Sequence, residues 1–368
     1  MLTLLDRYIL KQYLLTFFGI LFLFIPIGIL ASLAEKINKI IDNQVPMDEV
    51  IDYYLNFTLV LGNMLMPILL FLAIIFFTSR LTARTEVVAI LSSGVSYRRF
   101  LRPYFIGATF VAILIFAMGN FFVPKASAGY HRFESRYFHN NKEDRNTRNI
   151  FNQVDDNQFV YVSYFDPKRL IGYNFTLEEF DSIGQLKYKM SSANIRFMAA
   201  DSTYRLTSYK KRVFEDQKEV IYQKSRLDTV FQFTIDDLMP VSYIAETKNL
   251  FELNQFIRDQ KRRGSPTVNT YILEKYKRWA IPISAYILTL IAVAVSSVKR
   301  RGGLGLNLAF GIAIAFVYVF FDKVFATLAE QAGFSPFWAV SLPVLFLGHL
   351  LPCCYREQSV NVYICLST

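Results

Sequence analysis

Arg301-Gly302-Gly303-Leu304-Gly305 is the stretch nearest in type to a phosphate-cradling loop, because closely spaced glycines let backbone N–H groups reach an anion. It lacks the GxxxxGK[ST] spacing and follows no strand, so a tight turn at a membrane interface accounts for it better. The chain holds no GxSxG nucleophile elbow and no HExxH pair. Its three cysteines, Cys353, Cys354 and Cys365, crowd the C-terminal end with His349 nearby. They form no CxxC pair, and a zinc site needs about four ligands, so small apolar residues at a helix end is the plainer reading. The expectation is a chain with no metal and no cofactor of its own, which neither performs covalent chemistry nor hydrolyses ATP alone.

One segment has the pattern of a contact surface. In Arg84-Thr85-Glu86-Val87-Val88-Ala89-Ile90-Leu91-Ser92-Ser93-Gly94, the residues Val87, Ile90 and Leu91 make an apolar stripe at helical spacing. Glu86 falls where a first helical turn favours an anion, and Gly94 can close the helix in the left-handed conformation. A short helix is predicted here. Composition leaves open whether it seats against a partner or packs on lipid.

The elements around it are set by hydropathy. With 53% hydrophobic residues and a mean hydropathy of +0.28, the chain is too apolar for a water-soluble globule. Three long apolar runs, about Tyr13 to Ala34, Phe57 to Thr78 and Pro103 to Val123, precede a polar middle, and Trp279 to Val298, Leu304 to Ala326 and Phe334 to Leu351 follow it. About 20 apolar residues cross a bilayer as a helix, so six spans are predicted, with the third ending at Pro124. Ser32-Leu33-Ala34 imitates a signal-peptidase site, but the run before it exceeds a signal h-region. The formal charge of +10 is spread along the chain, with no basic tract and interleaved aromatics, which argues against a nucleic-acid partner.

Orientation follows from cations in short loops. Arg80, Arg84, Arg98, Arg99 and Arg102 face Glu86 alone between spans two and three, and Lys299, Arg300 and Arg301 lie between spans four and five; both loops read as cytoplasmic. After span one, Lys36 and Lys39 are outnumbered by Glu35, Asp42, Asp48, Glu49 and Asp52, so that loop and the middle domain read as extracytoplasmic, with both termini inside. The middle alternates with period two at Phe159–Phe165, Asn194–Met198, Thr203–Tyr209 and Thr229–Ile235, which predicts an all-β sandwich or open barrel. Leu250, Leu253, Phe256 and Ile257 predict one helix leading back towards the membrane. The division is then 1–123 (spans one to three, with the short helix at about 84–94), 124–271 (β-domain) and 272–368 (spans four to six and tail).

Leu5-Asp6-Arg7-Tyr8-Ile9, the segment from Arg84 to Gly94, Arg102-Pro103 and Leu273-Glu274-Lys275-Tyr276 together resemble the LptF/LptG (YjgP/YjgQ) lipopolysaccharide-export permeases, the LptG branch more than the LptF branch. The likeness runs to about Leu351; the residues after it depart from the short basic tail expected. The resemblance implies six transmembrane helices around a periplasmic β-jellyroll-like domain in the bacterial inner membrane. It implies an LptB-like ATPase dimer that binds ATP and Mg, an LptF-like sister permease, and LptC-like and LptA-like bridge proteins. Arg84, Glu86, Val87, Ile90, Leu91 and Gly94 would then form the helix that couples to the ATPase, with Glu86 as the acidic contact. Spans one and five would frame the lipid entry, and Lys36, Lys39 and Lys323 would meet lipopolysaccharide phosphates, with Asp322 beside Lys323. Ser32 stands where relatives carry a basic residue. Phe159, Tyr161, Phe231 and Phe233 would line an acyl-chain path, although alternation alone shows only that one strand face is apolar. Two rivals are another ABC-type lipid or lipoprotein exporter subunit and a membrane-anchored envelope scaffold that needs neither Glu86 nor an ATPase.

Overall fold

A computed structural model describes residues 3–138, 148–155, 157–166, 169–181, 183–198, 203–215, 218–231, 241–262, 267–297 and 303–346, with 201 and 233 besides. The first helical set runs α1 (Leu4–Asp42), α2 (Met47–Ala83), α3 (Glu86–Ser92), α4 (Tyr97–Ala117) and α5 (Val123–Phe133). At 1.5 Å per residue the 39 residues of α1 extend far past a hydrocarbon layer of about 30 Å. The apolar runs are thus the middles of longer helices. Asp6 in the first turn and Lys39 in the last complement the helix dipole of α1.

The helix that holds the third expected span does not stop at Pro124. The helical path continues through a π-helical stretch at Met118–Phe122 into α5 and then another at Glu134–Phe138. Proline lacks an N–H and its ring crowds the carbonyl four residues back; the wider π turn just before Pro124 relieves that conflict without ending the helix.

After the β region come α6 (Val241–Thr247), α7 (Leu250–Arg262), α8 (Val268–Ser296) and α9 (Gly303–Gln331), then α10 (Pro336–Phe346). Among the described residues five helices are long and apolar enough to cross a membrane, and α10 is shorter. The sixth expected span, Phe334 to Leu351, lies partly outside the described residues, as do Lys299, Arg300, Arg301, His349 and the three cysteines.

The chain divides into two compact units. One comprises Met1–Glu35, Tyr54–Ala126 and Ile272–Thr368; the other comprises Lys36–Tyr53 and Ser127–Tyr271, so the end of α1 and start of α2 belong with the β region. The helical unit packs Tyr13 and Phe17 of α1, Leu69 to Ile75 of α2, Tyr104 of α4 and Ala285 to Val295 of α8 into one core. Two of its buried polar groups bond between helices, which suits an apolar solvent. The Thr82 hydroxyl donates to the Ser296 carbonyl (2.8 Å) and the Asn307 amide to the Ser79 hydroxyl (3.1 Å). Gly107 lets α4 meet the Tyr13 ring, where a Cβ would overlap the phenol oxygen.

In the second unit, β1 (Arg148–Asp155), β2 (Gln158–Asp166), β3 (Ile171–Phe180), β4 (Leu186–Met198), β5 (Thr203–Glu215) and β6 (Lys218–Thr229) form one antiparallel sheet, each strand paired to the next. The turn from β3 to β4 is built by Asp181, whose carboxylate accepts from the Ile183 and Gln185 amides, and by Gly184 at φ 84°. Val160, Val162, Phe175, Leu177, Ile195 and Leu206 make the core of this unit. Of the expected strand at Thr229–Ile235, β6 holds only Thr229, and Phe231 and Phe233 pack their rings on that core; residues 232, 234 and 235 lie outside the described residues. Asn249 caps α7, its side chain accepting from the Phe251 and Glu252 amides while Glu252 reaches back to the Asn249 amide. Leu253, Ile257 and Gln260 are the buried positions of that helix.

Candidate functional site

Within the helical unit, α3 is a seven-residue helix between two much longer ones. Thr85 makes the corner at φ 62°, a left-handed conformation unusual for a β-branched residue, and its carbonyl accepts the first α3 bond from Ala89 (3.0 Å). Gly94, at φ 86°, closes the other end with its amide on the Leu91 carbonyl (3.2 Å). Val87 is buried in the helical core, and Ile90 and Leu91 pack against it. The apolar stripe therefore anchors α3 to its own chain. Arg84, Val88, Ala89 and Ser92 are exposed, and Glu86 lies half-buried with its carboxylate 3.8 Å from the Arg84 guanidinium. The six residues named from the sequence thus have two roles: Val87, Ile90 and Leu91 hold the helix, while Arg84 and Glu86 stand at its rim.

A second constraint was not read from the sequence. Arg99, in the first turn of α4, donates from both terminal nitrogens to Asp6 of α1, at 2.9 and 2.7 Å. Thr3 completes the cluster: its amide donates to the same carboxylate (2.9 Å) and its hydroxyl accepts from Arg99 (3.1 Å). A bidentate guanidinium–carboxylate pair is directional as well as strong. It ties the start of α1 to the start of α4, two residues beyond the segment that carries α3. Only the occurrence of Asp6 and Arg99 in loops otherwise rich in cations hinted at a pair.

The three lysines differ. In the second unit Lys36 is largely buried, its ammonium 2.6 Å from Glu134 and 2.7 Å from the Tyr53 hydroxyl. The rings of Tyr53, Tyr130 and Phe138 surround it at 5.4, 5.5 and 5.4 Å. Lys39 and Lys323 are exposed, and Asp322 is partly buried. The four ring residues are not brought together on one face. Val160 and Val162 are buried on β2, so Phe159 and Tyr161, one residue out of phase, lie on the opposite face of the sheet. Phe159 stacks on Phe151 (5.7 Å) there. Phe231 and Phe233 lie with Phe175 and Tyr204 on the core side. Among the described residues no cluster of His, Cys, Asp and Glu has the geometry of a metal site.

Long apolar helices, a separate antiparallel sheet between them in sequence, and a short helix anchored by one face define a multi-pass membrane permease subunit with an inserted β-domain. The family of lipopolysaccharide export system permeases LptF/LptG matches residues 7–351, and the chain belongs to it. It is 19% identical over 265 residues to the lipopolysaccharide export system permease protein LptG of Escherichia coli strain K12, covering 72% of this chain and 73% of that protein. The LptG protein of Escherichia coli O6:H1 gives the same 19% identity over the same length. The chain is therefore LptG-like, a multi-pass protein of the inner membrane.

Proposed function

We propose that this chain is one permease half of an ATP-driven extractor that lifts lipopolysaccharide out of the inner membrane and passes it, along an extracytoplasmic jellyroll-like domain, to a periplasmic bridge. Six spans with both termini cytoplasmic would place the arginine-rich connections of α2, α3 and α4 inside. The observation that carries the reading is α3, a helix fixed on one side by Val87 and open on the other at Glu86, Val88, Ala89 and Ser92. That is the form of a lever for a cytoplasmic motor. An LptB-like ATPase dimer, holding ATP and Mg, would seat on this face; an LptF-like permease would complete the lateral entry, and LptC-like and LptA-like proteins would continue the bridge. Taking each buried CH₂ of an acyl chain from lipid into water costs about 0.8 kcal/mol, so a multi-acyl substrate needs both a motor and an apolar receptor.

For substrate contacts, Lys39 and Lys323 are open to an anionic group, whereas Lys36 would have to exchange Glu134 for a phosphate. Phe231 and Phe233, on the core side of the sheet, are better placed than Phe159 and Tyr161 for a shielded acyl path. Glu86→Lys tests the assignment. Reconstituted with its ATPase and sister permease, the variant should insert and assemble but release lipopolysaccharide about tenfold more slowly, since a hydrogen bond to a charged group contributes roughly 1.5–3 kcal/mol. Wild-type export by E86K would remove the coupling role. Recovery of envelope proteins without an ATPase, from membranes in which ABC complexes survive, would favour a scaffold instead.

A further inference from the structure

Between α1 and α2 the helical unit has a cleft of about 280 Å³, which shares only Arg84 with the residues named for coupling. Along α1 it is lined by Tyr8, Gln12, Leu15 and Thr16; along α2, by Phe76, Phe77, Arg80, Leu81 and Arg84. The helices run antiparallel along it. Eight residues of each, about 12 Å of rise, set Arg80 and Arg84 level with Tyr8 and Gln12, and Phe76 level with Leu15. The cleft therefore has a cationic, hydrogen-bonding mouth and an apolar inner end. Gly19, next on the same stripe of α1, has open space where its side chain would be, so nothing blocks an acyl chain running on from the cleft along that stripe. Leu15 and Phe76 are exposed along it. Arg80 is exposed and, among the described residues, has no ion-pair partner; Arg84 has only the distant Glu86.

We propose that this cleft binds one anionic phospholipid, its phosphate held between Arg80 and Arg84 and an acyl chain laid along Leu15, Gly19 and Phe76. The chemistry favours a lipid over a free anion because the apolar groove is continuous with the cationic mouth. A free phosphate would leave Leu15 and Phe76 unused. Paired guanidiniums suit a phosphate that accepts from both, and cationic pockets between transmembrane helices at the cytoplasmic side are suited to anionic headgroups. The leaflet rests on the sidedness proposed above; the binding itself does not.

The test is native mass spectrometry of the purified full-length protein, exchanged into mild detergent with equal amounts of dioleoyl phosphatidylglycerol and dioleoyl phosphatidylcholine. One phosphatidylglycerol should be retained preferentially, and millimolar inorganic phosphate should not displace it. Arg80→Gln should weaken its retention about fivefold, the worth of one cation near an anionic headgroup. Leu15→Trp, which fills the groove and keeps both arginines, should reduce it as well. If the arginines merely snorkel to the interface, L15W will leave retention unchanged, and the site is refuted. Equal retention of the two lipids, or displacement by inorganic phosphate, would also overturn it. Should R80Q prove misfolded by melting, L15W decides. Because no transport is measured, failure of the export reading would leave this result standing, and the reverse holds too.

Discussion

Replacing Arg99 with Met keeps most of the side-chain volume and removes the guanidinium that satisfies Asp6. In the pair, Asp6 is 3% exposed and Arg99 28% exposed. Removing one partner of a fully buried pair costs about 3–5 kcal/mol, because the remaining charge stays desolvated without a counter-charge. Solvent reaches Arg99, and the Thr3 amide continues to donate to Asp6, so about 2–3 kcal/mol is expected here. With an unfolding entropy of about 2.1 cal/mol/K per residue, that corresponds to a melting shift of roughly 3 °C for a chain of this size. Trp279, whose ring packs 4.9 Å from Phe116, reports the helical unit by intrinsic fluorescence. The decisive comparison is a cycle. Asp6→Asn with Arg99→Met leaves a neutral pair, and should melt closer to wild type than Arg99→Met alone, since a matched neutral replacement removes the stranded charge. If Arg99→Met melts within about half a degree of wild type, or if the two substitutions simply add, the Asp6–Arg99 pair does not hold α1 to α4.

Three further outcomes follow from the packing. Gly107→Ala should destabilise the helical unit by about 1–3 kcal/mol through overlap with the Tyr13 phenol, and Tyr13→Phe in that background should recover part of the loss; thermal melting measures both. Val87→Asp should lower the melting temperature strongly, whereas Val88→Asp, on the exposed side of α3, should leave melting nearly unchanged and weaken ATPase co-purification, so equal effects would refute the division of that helix into an anchor face and a docking face. On the exposed β5–β6 ladder, hydrogen bonds from Arg205 and then Arg226 pull the Asp228 carboxyl down from 3.8 to about 2. Its contribution is therefore complete above pH 4 and lost as pH falls through about 2, so an acid titration of Asp228→Asn against wild type should show a difference at neutral pH that closes across that window.

The helices that hold the first five expected spans were legible because length and apolarity are sufficient in lipid, where a helix must satisfy its own backbone. Their ends were not, since Asp6 and Lys39 continue α1 in positions that hydropathy reads as boundaries. The run of helix past Pro124 was hidden for a related reason: a proline signals a stop, but the relief given by a π turn at Met118–Phe122 leaves no composition mark. The side of β2 that faces the core could not be read from Phe159-Val160-Tyr161-Val162, because both phases are apolar and no polar phase marks the outside. Thr229–Ile235 alternates as a strand would, yet burial of Phe231 and Phe233 against Phe175 and Tyr204 satisfies the same pattern. Thr85 in a left-handed corner occupies a role the sequence would assign to glycine. The Asp6–Arg99 and Lys36–Glu134 pairs join residues 93 and 98 positions apart, beyond any local pattern.

At Lys36 resemblance and geometry point to different tasks. A free lysine near an apolar interface keeps its ammonium hydrated, and a phosphate must strip that water before it can bind closely. Here the stripping has already occurred, since the ammonium is 17% exposed with Glu134 beside it at 16%. Three rings supply further attraction, and the Tyr53 hydroxyl lies 3.4 Å from the same carboxylate oxygen, so Glu134 retains a hydrogen bond if the lysine leaves. An incoming phosphate would have to shed its own water and displace that carboxylate, leaving Glu134 desolvated with the Tyr53 hydroxyl but without a counter-charge. Stranding one member of a buried pair is costly, so the geometry favours the Lys36–Glu134 pair over the exchange. The pair then serves as a tie between the end of α1 and the stretch Glu134–Phe138.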